Sequence, residues 1–210
     1  MKYSIGIDPG LRETGVVLCH EEPPKGGTVV PTYVVDEWVT YTCPSGSEDL
    51  PRVVSLASSV VHAVLDFVKR YEIEELDISI ELPIYNHNAA TYTKQIRLLE
   101  EIESGIFFTV TGEVEQLFLT EVYPTTSKSL LTDNARAGKE EMIHNYVLIN
   151  GEIDAKNQHT RETVADAYAH SLATWISNSK AQRHNLTKLQ AATVQETGRS
   201  KTCRTSAKTG

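Results

Sequence analysis

The sequence predicts an α/β domain in which helices flank a mixed β-sheet. Three observations predict it. Apolar residues recur at every second position in some segments and at helical spacing in others. From residue 50 onward the two kinds of segment alternate along the chain. Of the 210 residues, 40% are hydrophobic and 23% charged, an ordinary balance that can bury a core without disulfides or a structural metal.

The elements follow in order. Tyr3–Asp8 alternates with β-branched weight and stops at Asp8-Pro9-Gly10, a strong turn signal. A second apolar run, residues 15–19, follows at hairpin distance, and residues 29–41 read as a third strand interrupted by Pro31. Residues 50–70 change period: Val53, Ala57, Val60, Val61, Val64 and Val68 share one helical face. Residues 76–82 return to alternation and stop at Pro83, and residues 90–110 form a second helix with Ile96, Leu99, Ile102 and Ile106 on its stripe. Gln116–Val122 is a fifth strand, ended by Tyr123-Pro124. Residues 139–149 and 160–177 are helices, the last with Thr160 as its N-cap. Strands joined through helices pair in parallel, so the expectation is a mixed five-stranded sheet with helices on both faces.

Periodicity ends near residue 177, which divides the chain into a domain of residues 1–177 and a tail of residues 178–210. The net charge is −8, but residues 177–210 carry seven basic residues and the single acid Glu196, leaving residues 1–176 strongly acidic. The tail is expected to be a basic, disordered extension suited to following a phosphate backbone. No run of about 18 apolar residues occurs, so no membrane span is expected. The N-terminus meets Asp8 too soon for a signal peptide. Cys19, Cys43 and Cys203 form no CxxC pair and fit reduced thiols in a cytoplasm.

Three acids stand out. Asp8 and Glu81 each end a strand before a proline, where side chains from separate segments converge, and Asp166 lies on the last helix among Val164, Ala165, Ala167 and Ala169. Small neighbours let that helix approach the sheet closely. Gathered carboxylates repel one another and need cations; oxygen donors of this kind suit Mg2+ or Mn2+. Each acid also has a plainer reading. Asp8 serves a turn, Asp166 faces solvent, and Glu81 sits with Asp77 and Ser79 on a solvated face.

The motif text favours the site. Ile5-Gly6-Ile7-Asp8-Pro9-Gly10-Leu11-Arg12-Glu13-Thr14-Gly15 closely resembles the opening of RuvC-type Holliday junction resolvases. Ile80-Glu81 is similar to that family's second acidic motif. Tyr123-Pro124, Lys128 and Ala137-Gly138-Lys139-Glu140 resemble its lysine-bearing segment, and Ala165-Asp166-Ala167-Tyr168-Ala169 its final helix motif. The matches come in the family's order over residues 3–176. The resemblance implies an RNase H-like fold and a homodimer of a bacterial or viral kind, at work in the cytoplasm of a bacterium or an infected cell. It further implies DNA recombination or repair activity on four-way DNA, cut by paired symmetric nicks with two Mg2+ ions, for which Mn2+ substitutes. Asp8, Glu81 and Asp166 would hold the metals, Lys128 and Lys139 would be catalytic or phosphate-contacting, and Arg12 would contact DNA.

Two positions depart from the pattern. Where the family usually has an acid, sometimes a histidine, three residues before the final Asp, this chain has Thr163. Glu162, one turn before Asp166, is the preferred substitute ligand, with His159 and Thr163 as alternatives. In the loop after Glu81, where the family places a wedging aromatic, Tyr85 is the candidate to stack on an opened base pair, and His87 reads as a loop residue. Competing functions are another RNase H-like nuclease acting on branched DNA, RNA–DNA hybrid or RNA precursor, and a catalytically impaired junction-binding protein. An actin-like kinase is excluded by the missing Gly-rich phosphate loops.

Overall fold

β1 (Tyr3–Asp8) is the pivot of the sheet: β2 (Glu13–Glu22) pairs with it antiparallel, and β4 (Glu75–Glu81) pairs with it in parallel on the other side. The structure is a computed structural model and describes residues 1–22, 32–43, 49–179 and 184–185. β3 (Thr32–Thr42) extends the antiparallel half, and β5 (Gln116–Val122) extends the parallel half, giving the order β3-β2-β1-β4-β5 for the five long strands. β3 begins just past Pro31, as a residue without a backbone N–H favours. Numbered along the chain, the helices are α1 (Asp49–Arg70), α2 (Ala89–Val110), α3 (Pro124–Thr132), α4 (Lys139–Asn150) and α5 (Gln158–Ser179).

Side chains alternate across the sheet, and each face has its own core. Ile5, Ile7, Val16, Leu18, Ile78 and Ile80 point toward α1 and α2. Val17 and Cys19 point the other way, into a second core built with α4 and α5 around Met142, Tyr146 and Tyr168. α1 is the one described helix long and apolar enough to cross a membrane by composition, but its stripe of Val53, Val60, Val64 and Phe67 is buried in the first core. The second face corrects one expectation: Asp77 and Ser79 are buried, because α5 covers the face that alternation alone reads as solvated. Asp77 is neutralised there by Lys2 at 2.9 Å.

α5 lies unusually close to the strands. A Cβ on Gly6 would stand 1.8 Å from the Ala167 carbonyl oxygen, and one on Gly15 would stand 2.7 Å from Thr163 Cγ2. Glycine is therefore required at both positions, to let a helix lie directly on β1 and β2. This confirms the close approach expected from the small residues around Asp166.

Several boundaries differ from expectation. α3 is an unpredicted helix; Pro124 occupies its first turn, where the missing N–H costs nothing. On α2, Leu98 is buried and Ile96 only partly so. α5 starts before Thr160: Asn157 Oδ1 accepts the Thr160 N–H at 2.8 Å, making Asn157 the cap, and His159 falls inside the first turn. The helix also runs past residue 177 to Ser179. Within the expected tail, β6 (His184–Asn185) adds a two-residue antiparallel strand to β5. The rest of the basic tail, residues 180–183 and 186–210, lies outside the described residues.

Candidate active site

β1 and β4 are parallel neighbours in register, with Ile7 opposite Ile80, so Asp8 and Glu81 end adjacent strands at the same edge. Both share the parity of Gly6 and Ser79 and so face α5. Asp166 and His170, one turn apart on α5, meet them from above. The ligand atoms of Asp8, Glu81 and His170 all lie within 4.8 Å of one another. Asp166 joins them across a cleft of about 120 Å³ that Glu81, Ser127, Lys128, Asp166 and His170 line. That volume suits an ion with a few waters, not an organic cofactor.

The electrostatics are those of too many acids. Burial, then Glu81 and Asp166, push the Asp8 carboxyl well above the usual carboxylate range; Lys139 pulls it back and Glu13 adds to the push. Asp166 is also raised, first by burial and then by Glu81, with His170, Lys128 and Lys139 opposing. Carboxylates that repel in this way bind a divalent cation readily, and oxygen donors with one imidazole nitrogen form a chemically sound set for it.

His170 was not anticipated. It is 1% exposed; Nδ1 stands 2.7 Å from Ser127 Oγ on α3, and Nε2 lies 2.8 Å from Glu81 Oε2. Its signal in the sequence was the i+4 spacing from Asp166. Glu13 was also missed as a site residue. It is buried on β2, accepts a 2.7 Å hydrogen bond from Thr160 Oγ1, and has His159 Nε2 at 3.6 Å. An acid at the head of the strand that carries the apolar run of residues 15–19 was the available clue.

The other expected residues divide. Lys128 lines the cleft from α3. Lys139, at the start of α4, is ion-paired with Glu162. Burial nudges the Glu162 carboxyl upward, but Lys139, with Gln158 and His159, outweighs it and holds the group below its usual range. The Glu162 carboxylate, expected as a metal ligand, is ion-paired with Lys139, while the gathered ligand atoms are those of Asp8, Glu81 and His170. Thr163 is 3% exposed and packed on Gly15. His159 lies between Glu13 and Glu162, outside the gathered group. Tyr85 is 55% exposed in the loop after β4, its ring edge-to-face with Tyr92 at 5.6 Å and near His87 at 6.1 Å. It is no core tyrosine. His87 takes a left-handed backbone with φ 53°, and Asn88 caps α2 by accepting the Thr91 N–H. Arg12 is exposed in the β1–β2 turn.

Sheet order, the antiparallel β1–β2–β3 meander and the acids at the ends of β1 and β4 beneath a helix define the class: an RNase H-like α/β fold. Solved structures narrow this to the RuvC form. The Thermus thermophilus RuvC structure matches with a TM-score of 0.62 and 20% identity, covering 87% of this chain and 99% of that one. T. thermophilus RuvC in complex with Holliday junction substrate matches with a TM-score of 0.62 and 16% identity, over the same shares. The yeast mitochondrial Holliday junction resolvase Ydc2 matches with a TM-score of 0.50 and 13% identity, over 82% of this chain and 76% of that one. At these identities the likeness is one of fold. No protein-family model and no curated protein matches the sequence.

Proposed function

We propose that the chain is a metal-dependent endonuclease that resolves four-way DNA junctions by paired, symmetric nicks, acting as a homodimer. The observation that carries this reading is the convergence of Asp8, Glu81, Asp166 and His170 beside Lys128, at one edge of a sheet with the RuvC fold. A divalent cation held there, with a second beside it, would supply Lewis acidity and a nucleophile at neutral pH; Mg2+ is the expected ion and Mn2+ its substitute. The chain's own residues do the rest. Asp8 and Glu81 offer oxygen ligands from rigid strand ends, and Asp166 completes the acidic wall from α5. Lys128 projects a positive charge into the cleft, where it would face a scissile phosphate. Glu162 would keep the Lys139 ammonium extended over the same opening. The exposed Tyr85 ring, held by Tyr92, would stack on bases opened at the branch point, and Arg12 would contact the adjacent backbone. The basic tail would supply the phosphate contacts that the acidic body lacks.

Asp8→Asn tests the reading. It should abolish cutting of a synthetic four-way junction in Mg2+ or Mn2+ while leaving junction binding within about threefold. Cutting that survives the substitution would move the chemistry elsewhere.

A further inference from the structure

We infer that His170 supplies an imidazole nitrogen to the cation held by Asp8 and Glu81, that Ser127 fixes its tautomer, and that this nitrogen biases the centre toward Mn2+ over Mg2+. The inference rests on the metal-centre reading above and concerns its composition.

Three observations carry it. His170 is 1% exposed, and its Nε2 has no aligned hydrogen-bond acceptor among the described residues. Glu81 Oε2 is 2.8 Å away, yet it lies off the direction an N–H would take. A buried nitrogen that lies beside a carboxylate without donating to it is available as a lone-pair donor. The spacing also fits: two ligands at right angles on an ion with bonds of about 2.1 Å sit about 3.0 Å apart. Finally, Nδ1 stands 2.7 Å from Ser127 Oγ, a buried hydroxyl that can accept the Nδ1–H. A proton held on Nδ1 leaves Nε2 free to bind a cation, the arrangement that metal-ligating histidines commonly adopt with an outer partner.

Selectivity follows from the donor atom. Mg2+ prefers oxygen and water, whereas imidazole suits transition-metal ions. An imidazole donor also adds no negative charge to the site, and Thr163, a neutral residue packed against Gly15, adds none either, so the centre lacks the extra oxygen anion that Mg2+ favours. The competing role is positional: a histidine held between Glu81 and Ser127 that touches no metal.

Pulsed electron paramagnetic resonance on the full-length chain loaded with Mn2+ separates the two. The expected result is a nitrogen modulation on bound Mn2+ that changes when histidine is 15N-labelled. It should persist in His159→Gln and disappear in His170→Gln. Calorimetry should show the Mn2+ to Mg2+ affinity ratio falling about tenfold or more in His170→Gln, and Ser127→Ala weakening Mn2+ binding about tenfold. Should His170→Gln not fold, the wild-type signal and its survival in His159→Gln carry the test. Mn2+ that binds in an Asp8-dependent way without nitrogen modulation overturns the His170 assignment and leaves the metal centre standing. So does a modulation lost in His159→Gln. A chain that binds no Mn2+ at all overturns the nuclease reading as well.

Discussion

Asp8→Asn should make the metal-free protein more stable while destroying the site. In the folded chain the Asp8 and Glu81 ligand atoms lie within 4.8 Å of each other. At that separation two unit charges repel by about 0.9 kcal/mol at a dielectric constant of 80 and about 3.5 kcal/mol at 20. Asp166 and Glu13 add to this, and Lys139 subtracts from it. Neutralising Asp8 should therefore stabilise the metal-free fold by about 1–3 kcal/mol, a rise of about 3–10 °C in Tm for a domain of this size. The sign depends on pH. Because the folded Asp8 carboxyl titrates well above its usual range, the wild-type penalty is absent where Asp8 is protonated and grows as pH rises through that folded value. The gain from Asp8→Asn should thus be largest at alkaline pH, above that folded value, and fade on acidification. Divalent cation should reverse the ranking: at ten times Kd it stabilises the wild type by about 1.4 kcal/mol and leaves Asp8→Asn unchanged. Calorimetric or fluorescence melts at several pH values, with EDTA or Mn2+, measure all of this. An Asp8→Asn protein that melts at or below the wild type in EDTA at every pH of the series refutes the crowded-carboxylate argument. So does equal stabilisation of both proteins by the cation.

Other perturbations probe separate parts of the molecule. Gly6→Ala places a methyl 1.8 Å from the Ala167 carbonyl; it should lift α5 from the sheet, cost about 3 kcal/mol and abolish cutting, seen as a lower denaturation midpoint. Lys128→Ala should lower cleavage about 100-fold with little loss of junction binding, whereas Glu162→Gln, acting only through Lys139, should cost less than about tenfold in single-turnover assays. Equal losses would return Glu162 to the metal. Glu103 on α2 is pushed up to about 7, by burial first and then by the neighbouring Glu121. The stability it allows is present below the normal glutamate range and lost as pH rises through about 7, so Glu103→Gln should stabilise at pH 8, by about 1–2 kcal/mol after solvent screening, and be neutral at pH 4. Deleting residues 186–210 should weaken junction binding and flatten its salt dependence; an unchanged slope would make the tail a passive extension.

The strands and long helices were legible because their apolar residues are periodic. Alternation in Gln116–Val122 and the valine stripe of α1 each report one packed face, while Tyr3–Asp8 is buried on both, its alternation marking the side that meets α1 and α2. α3 was not legible: Pro124 to Thr132 has no strong apolar stripe, and its position is set by docking against α5. Asp77 and Ser79 misled for the opposite reason, since polar residues on a strand read as exposed unless the covering helix is known. In the site, Asp8, Glu81 and Asp166 could be proposed from strand ends and motif text. The role of Glu162 could not, because whether an acid points at a cation or at Lys139 depends on where α4 begins relative to α5. The cap of α5 had the same character: Thr160 is a good capping residue, but Asn157 precedes it and Glu13 claims its hydroxyl. His170 was within reach of helical spacing alone.

The most direct test maps the nicks. Each strand of a synthetic four-way junction is end-labelled in turn and incubated with the full-length protein and Mg2+ or Mn2+, alongside a fork and an RNA–DNA hybrid. The expected result is cleavage of the four-way junction at two symmetrically placed phosphodiester bonds on opposite strands, lost in EDTA and in Asp8→Asn. A junction left intact with either metal, or cutting confined to the hybrid, would contradict the account.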